Sequence, residues 1–159
     1  MSQGIALEGM RLVTTYLPRA YATPDDLEAR AHMMSAAAMG ATAFQKGLGA
    51  IHAMSHPVGA VFNTHHGTTN AVCMPAVLAF NADAIRGRFD QAAAYLGIDG
   101  GFDGFCEFVQ QFNDSFAIPR TLTEMGVSAD RLDDLVAMAL EDPSCGCLLY
   151  TSDAADEER

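Results

Sequence analysis

Residues 49–67 read GAIHAMSHPVGAVFNTHHG and hold four of the five histidines of the chain. His52 and His56 are four residues apart, so on a helix they would share one face. The stretch from Leu48 to Phe62 is apolar and favours a helix, but a proline inside a helix removes a backbone hydrogen bond. We therefore expect a short helix that kinks or ends near Pro57, followed by a polar turn.

Helical patterns lie upstream of this segment as well. A first helix is predicted over about residues 5–17, where Pro18 would stop it, and a second would run from an N-cap at Thr23 to about Lys46. The middle of the second helix, residues 35–43, consists almost entirely of small side chains. Small side chains let helix backbones approach closely, so we expect this helix to be buried on more than one side.

Downstream, three further helices are predicted. One begins near Thr68 and runs to about Phe80, with Pro75 inside it. The second carries an apolar stripe at helical spacing: Phe105, Phe108, Val109, Phe112 and Phe116. The third follows a predicted cap at Ser128 and carries Leu132, Leu135, Val136, Ala139 and Leu140. Both stripes are interpreted as core packing rather than as a cofactor site. Long alternating runs of Val, Ile and Thr are missing, so the expected fold is all-α, a helical bundle.

Composition restricts the possible functions. The 159 residues are 50% apolar, which fits one domain with a substantial core. With 20 acidic and 9 basic residues the net charge is −11, and such a surface repels nucleic-acid phosphates, so we expect no nucleic-acid partner. No apolar run approaches the roughly 20 residues of a membrane span, so we expect no membrane association. Four cysteines without a CxxC pair predict a reducing, cytoplasmic setting.

The histidine spacing by itself is compatible with several roles for these residues. Two imidazoles one helical turn apart can approach one metal ion, and imidazole nitrogen suits iron, zinc and copper. The residue after His52 is Ala53, so the segment is not the HExxH motif of zinc proteases. The cysteine spacing excludes a zinc finger. The histidines could equally be hydrogen-bonded core or surface residues, and His32, on the small-residue helix, is expected to be structural.

The longer pattern of the segment resembles a known family. It has the form G-x-x-H-x-x-[AS]-H-x-x-G, then H-G-x-x-N ending at Asn70, then a Met74-Pro-Ala-Val77 element and Asn81. This arrangement is similar to the signature of the iron-containing (group III) alcohol dehydrogenases. The resemblance covers about residues 4–146 and implies the helical, metal-binding C-terminal domain of that family.

The resemblance also implies roles for individual residues. His52 and His66 match metal ligands of Fe²⁺, with Zn²⁺ as a second candidate ion. His56 matches a residue close to the metal and the nicotinamide, with an implied catalytic role in proton transfer or in substrate orientation. Cys145 matches a position near the substrate pocket. His65 receives no chemical role.

The two ends of the chain carry further expectations. The family binds its metal with an Asp and three His, and we expect the missing Asp and His, with the nucleotide-binding domain, to belong upstream of Met1. Residues 1–146 would then be a domain truncated at its N-terminal side. Residues 147–159 include LLYTSDAADE, which resembles a translated sequencing adapter, and we expect a disordered, non-native tail.

Three functional hypotheses follow. The first is a fragment of an NAD- or NADP-linked alcohol dehydrogenase that interconverts a small alcohol and its aldehyde or ketone by hydride transfer. Such a fragment is expected to be inactive alone, with a homo-oligomer as a possible assembly. The second is a non-catalytic helical module that binds a metal weakly, because two imidazoles hold a divalent ion poorly. The third is a plain helical interaction domain.

Overall fold

The structure is a computed structural model that describes residues 2–145, except for the side chain of Lys46. Within these residues the secondary structure is helical and contains no strand, which confirms the expected all-α fold. The predicted tail at residues 147–159 lies outside the described residues. The α-helices are α1 (Ser2–Ala22), α2 (Leu27–Ala43), α3 (Ala50–Phe62), α4 (His66–Phe80), α5 (Ala82–Leu96), α6 (Gly101–Ser115) and α7 (Leu132–Glu141). Single 3₁₀ turns lie at Phe44–Lys46, Thr123–Met125 and Ala129–Arg131.

Consecutive helices pack in pairs, α1 with α2, α3 with α4 and α5 with α6. Helix α4 also contacts α5 and α6, α1 contacts α5, and α7 lies on α3. The short connections between partners favour this arrangement. In the part of the chain that the structure describes, no helix is both long and apolar enough to cross a bilayer.

Helix α1 does not stop where the sequence predicted. It continues through Pro18 to Ala22, so the expected stop at Pro18 is wrong. The last turn is held from outside the helix, because the Arg19 guanidinium lies 2.8 Å from Asp26 Oδ2 and 2.7 Å from Glu28 Oε2. Packing against α2 thus outweighs the hydrogen bond that the proline removes.

The start of α2 also differs from the prediction. Asp26, not Thr23, is the N-cap, because its carboxylate accepts a hydrogen bond from the Ala29 amide at 3.0 Å. A carboxylate at this position satisfies a free backbone N–H and lies at the positive end of the helix dipole. The predicted end near Lys46 agrees with the 3₁₀ turn that follows α2.

Burial of α2 on more than one side is not observed. Ala29 and Ala36 are buried, whereas Ser35, Ala37 and Ala38 are exposed. Among the described residues, α1 is the only α-helix that packs extensively on α2. The small side chains therefore serve one close contact, and the other faces of α2 point outward.

Helix α3 continues through Pro57 to Phe62, so it does not end near Pro57, and the alternative of a kink there stays a prediction. Pro57 and Val58 are buried, and Val58 forms a core cluster with Val127 and Leu135 of the α7 region. Burial of apolar side chains on this face stabilises the helix across the proline. Asn63 ends α3 in the left-handed conformation, with φ of 52°, which an Asn tolerates.

The main apolar cluster lies between α4, α5 and α6. Its buried members are Leu78, Ala93, Phe102, Phe105 and Val109. Phe108 and Phe112 line a cavity of about 400 Å³ between this cluster and the α1–α2 pair. The core interpretation of the α6 stripe is therefore confirmed at Phe105 and Val109. Phe116 follows the end of α6 and packs edge-on against Tyr21 at a centroid distance of 5.1 Å.

The stripe on α7 is mostly not core. Leu135 is buried, but Leu132, Val136 and Leu140 are exposed, so the core interpretation is wrong for these three residues. The physical reason is that, among the described helices, α7 packs mainly on α3, and this contact buries Leu135 but leaves the rest of the apolar face uncovered. The predicted cap at Ser128 precedes a 3₁₀ turn rather than α7 itself.

A carboxylate links α1 to α5. Glu8 accepts hydrogen bonds from the Arg11 guanidinium at 2.7 and 2.6 Å and from the Tyr95 hydroxyl at 2.9 Å. The bonds from Arg11, and then the one from Tyr95, lower the pKa of Glu8 from 4.5 to about 2. A lowered pKa means that the ionised form contributes stability above the unfolded pKa, and this contribution is lost as the pH falls toward the folded pKa.

We therefore expect Glu8→Gln to lower the urea midpoint of unfolding at neutral pH, with the gap to the wild type narrowing as the pH falls from 4.5 toward about 2. The gap should also shrink in salt, because the pair is exposed to solvent. Tyr95→Phe is the matched control. Its stability should keep most of the wild-type pH dependence, because the hydrogen bonds from Arg11 are the main cause of the lowered pKa of Glu8. A gap that stays constant down to the lowest pH at which the protein folds would contradict this account.

Candidate metal centre

Three histidines that the sequence singled out lie together in the structure. Helix α3 presents His52 and His56 on one face, and His66 opens α4 beside it. The ring centroids are 5.3 Å apart for His52 and His66, and 5.7 Å apart for both pairs that include His56. Two helices therefore bring the three imidazoles into one cluster.

Several hydrogen bonds connect the loop between α3 and α4 to the first turn of α4. The fully buried Thr69 donates its hydroxyl to the His65 carbonyl at 3.0 Å and lies 2.8 Å from the Thr64 hydroxyl. The His65 side chain accepts from the Thr68 amide at 3.3 Å and thereby caps α4. His65 is thus a local structural residue, and its capping places His66 in the first turn of α4.

Asn70 joins the two predicted metal ligands. Its Nδ2 lies 3.4 Å from His52 Nε2 and 3.1 Å from His66 Nε2. In this orientation the amide N–H groups of Asn70 are directed at both Nε2 atoms, which act as the acceptors. Both Nε2 atoms therefore face one small region of space, and a metal ion bound there would replace the two hydrogen bonds from Asn70.

The electrostatic surroundings favour neutral imidazole at His52. Partial burial, and then the nearby His66 and His56, lower the pKa of His52, because each disfavours the protonated ring. The more distant carboxylate of Asp142 acts in the opposite direction. A neutral imidazole is the form that binds a metal ion.

The atoms around Asn70 provide part of the ligand set that a divalent transition ion needs. Two imidazole nitrogens face one region, and Asn70 Oδ1 is buried there without a hydrogen-bond partner among the described residues. A buried, unpartnered oxygen beside two nitrogen lone pairs favours a cation. Within residues 2–145, however, no group of three or more His, Cys, Asp or Glu side chains is arranged to hold an ion. The residues fit Fe²⁺ or Zn²⁺ as part of a ligand set.

His56 is oriented differently from the other two histidines. Its Nδ1 lies 2.8 Å from Asp142 Oδ2 at the end of α7. This hydrogen bond, opposed by burial, lowers the pKa of Asp142, so its carboxylate is ionised at neutral pH. An ionised carboxylate can only accept, hence Nδ1 of His56 carries the proton.

The other predicted positions lie in different surroundings. Cys145 is half-buried, and its amide donates to the Asp142 carbonyl at 2.9 Å, which places it one turn beyond Asp142. Its assignment to a substrate pocket stays a prediction. His32 stacks on Tyr16 of α1 at a centroid distance of 4.0 Å, in line with the expected structural role.

Sequence reasoning missed two polar residues of the cluster. Asn70 stood inside the quoted motif without a role, although its i+4 spacing from His66 on a helix could have indicated the contact. Asp142 is 86 residues from His56, and no local pattern in the sequence relates the two.

Comparison with known proteins extends this description. The model of the Fe-containing alcohol dehydrogenase family, C-terminal, matches residues 1–153. The chain is 41% identical over 150 residues to a 4-hydroxybutyrate dehydrogenase of Cupriavidus necator and 37% identical over 150 residues to an NAD-dependent methanol dehydrogenase of Bacillus methanolicus. Each alignment covers 89% of this chain and 39% of the relative.

A solved structure supports the same relationship. The structure of a 1,3-propanediol oxidoreductase superposes with a TM-score of 0.85 at 28% identity, over 91% of this chain and 40% of the other. The chain therefore spans about two fifths of the length of the relatives that it matches. Both curated relatives carry the name of a dehydrogenase. With its helical fold, histidine cluster and matched family model, the chain belongs to the iron-containing alcohol dehydrogenase family, within the C-terminal domain.

Proposed function

We propose that this chain is the metal-binding helical part of an iron-dependent, NAD(P)-linked alcohol dehydrogenase. The observation that carries the proposal is the position of Nε2 of His52 and Nε2 of His66, 3.4 and 3.1 Å from the same Asn70 nitrogen. Ligands from two different helices that face one point are typical of a metal centre between packed helices. Fe²⁺ is the proposed ion, and the same nitrogen donors accept Zn²⁺.

The proposed substrate is a small alcohol or the corresponding carbonyl compound. Relatives carry names that specify 4-hydroxybutyrate, methanol or butanol, and the last two name NAD and NADPH respectively. We take from these names a substrate class and a nicotinamide cofactor, with the cofactor bound through a part of the enzyme other than the described helices. We also propose a cytoplasmic location, and a homo-oligomer is supported by exposed apolar side chains such as Met34 and Phe80.

Each residue of the cluster has a separate proposed role. When bound, a divalent ion supplies Lewis-acid polarisation of an alcohol or carbonyl oxygen. His52 and His66 would hold it through their Nε2 atoms, which face the same region beside Asn70. His56 has its proton on Nδ1, so its Nε2 can accept a proton from a substrate hydroxyl and return it in the reverse reaction.

A second function competes with this one for the isolated chain. Only two imidazoles of the described residues converge, and ligand number sets affinity for Fe²⁺. The alternative is thus a helical module that binds a metal weakly and catalyses nothing. Both proposals place the metal at the same residues. They differ in whether the helices take part in catalysis once they are joined to a nucleotide-binding domain.

The test joins this chain to such a domain. In the chimera, this chain replaces the matched 39% of the Cupriavidus necator relative. Two quantities are measured: the bound iron and the alcohol-dependent reduction of NAD⁺ or NADP⁺. We expect substoichiometric metal and no turnover for the chain alone, but restored iron and measurable turnover in the chimera. The control is the same chimera with His52→Ala, which should lose both. A folded chimera that binds iron without turnover would favour the module, and robust turnover by the chain alone would contradict an incomplete site.

A further inference from the structure

From the contact between α3 and α7 we infer that Asp142 is a positioning residue for His56, holding its ring so that Nδ1 carries the proton and Nε2 stays free. This inference rests on the proposed function, because it assigns a task to a residue of the same site. Asp142 is remote from His56 in sequence and is brought to it by the fold.

The carboxylate of Asp142 is itself held in place. Oδ2 lies 2.8 Å from His56 Nδ1, and Oδ1 accepts the Ser144 amide at 2.8 Å. Its side chain is 14% exposed, compared with 38% for His56. A carboxylate bonded at both oxygens and mostly shielded from water offers a fixed acceptor, whereas a free side chain would move with the ring.

The direction of the hydrogen bond determines the tautomer. Asp142 can only accept when ionised, so the neutral His56 ring must place its hydrogen on Nδ1. The second ring nitrogen then carries a lone pair directed away from Asp142. Carboxylate–imidazole pairs fix tautomer and ring orientation in this way at metal and catalytic sites.

Anchoring of α7 does not by itself require this pair. Helix α7 already packs on α3 through Leu135, which contacts Val58 and Val127 in a buried apolar cluster. The polar contact lies beyond this cluster, at the exit of α7. The bond to His56 is therefore suited to ring orientation more than to helix docking.

The experiment identifies the tautomer of His56 directly. Long-range ¹H–¹⁵N NMR spectra of the whole 159-residue chain are recorded at about pH 8, where an imidazole ordinarily carries one proton. We expect His56 of the wild type in the Nδ1–H form. Asp142→Ala should shift His56 to a mixture rich in the Nε2–H form, while Asp142→Asn, whose amide oxygen can still accept, should retain more of the Nδ1–H form.

Asp134→Asn is the matched control, since it removes another carboxylate of α7 that pairs with Arg131 and should leave His56 unchanged. A wild-type His56 in the Nε2–H form overturns the inference without any variant, as does an unchanged tautomer in folded Asp142→Ala. If Asp142→Ala does not fold, the tautomer of His56 in Asp142→Asn and in the wild type tests the inference. Adding Zn²⁺ alone tests the proposed function separately, because only the His52 and His66 signals report metal binding there.

Discussion

His52→Ala is expected to weaken binding of Co²⁺ or Zn²⁺ to the chain by at least about tenfold, since loss of a direct ligand should cost no less than loss of its hydrogen-bonded partner. The wild type offers two Nε2 atoms that face one region, and the variant leaves only that of His66 beside Asn70. His66→Ala should have a similar effect. The two losses should not add in a double variant, because either one already removes the paired arrangement. Titration calorimetry and the visible spectrum of Co²⁺ measure the affinity.

His65→Ala is the matched control for this result. His65 adjoins His66 in sequence, but its side chain caps α4 through the Thr68 amide. Removing a cap costs about 1 kcal/mol of unfolding free energy and should leave metal affinity within about twofold of the wild type. Equal losses of affinity in His52→Ala and His65→Ala would contradict the assignment of His52 as a ligand.

Gly104→Ala is expected to have the largest effect on stability, lowering the free energy of unfolding by about 3 kcal/mol or more. A Cβ at this position would overlap the carbonyl oxygen of Asp99 in the turn before α6. Backbone cannot move aside as a flexible side chain can, so α6 and the Phe102–Phe105 part of the core would have to shift. A thermal midpoint lower by roughly 6–12 °C is the expected measurement.

Gly87→Ala provides the comparison on the neighbouring helix. Gly87 lies inside α5, and a Cβ there meets nothing within 4 Å. An alanine should therefore stabilise α5 by up to about 1 kcal/mol, because glycine loses more backbone entropy in a helix. Similar changes in the free energy of unfolding for Gly104→Ala and Gly87→Ala would mean that the close approach of Gly104 to Asp99 is not present in solution.

The helix limits show where local patterns succeed and fail. The α6 stripe places Phe105 and Val109 in the core because a repeated apolar spacing needs little tertiary information. Pro18 and Pro57 were expected to stop or disturb their helices, yet α1 and α3 continue through them. A proline inside a helix carries a local penalty, but burial of apolar side chains against other helices can outweigh it, and a single segment does not reveal that burial.

Exposure of α2 and α7 also depends on distant parts of the chain. Small residues in α2 and the apolar stripe on α7 were expected to be buried, but most of them face outward. Whether a face is covered depends on which helices pack on it, and among the described residues α2 has α1 and α7 has α3. The periodicity of one segment does not contain that choice of partner.

The amino-acid sequence alone determined the helical class and the two histidines that approach each other. The helical class follows from short-range spacing, whereas the choice of His52 and His66 follows from the resemblance of the motif to a known family. Only the tertiary structure decided the roles of Asn70 and Asp142. Asn70 completes the cluster across the α3–α4 contact, and Asp142 reaches His56 from 86 residues away. Such contacts arise from packing between helices, which is a property of the whole fold.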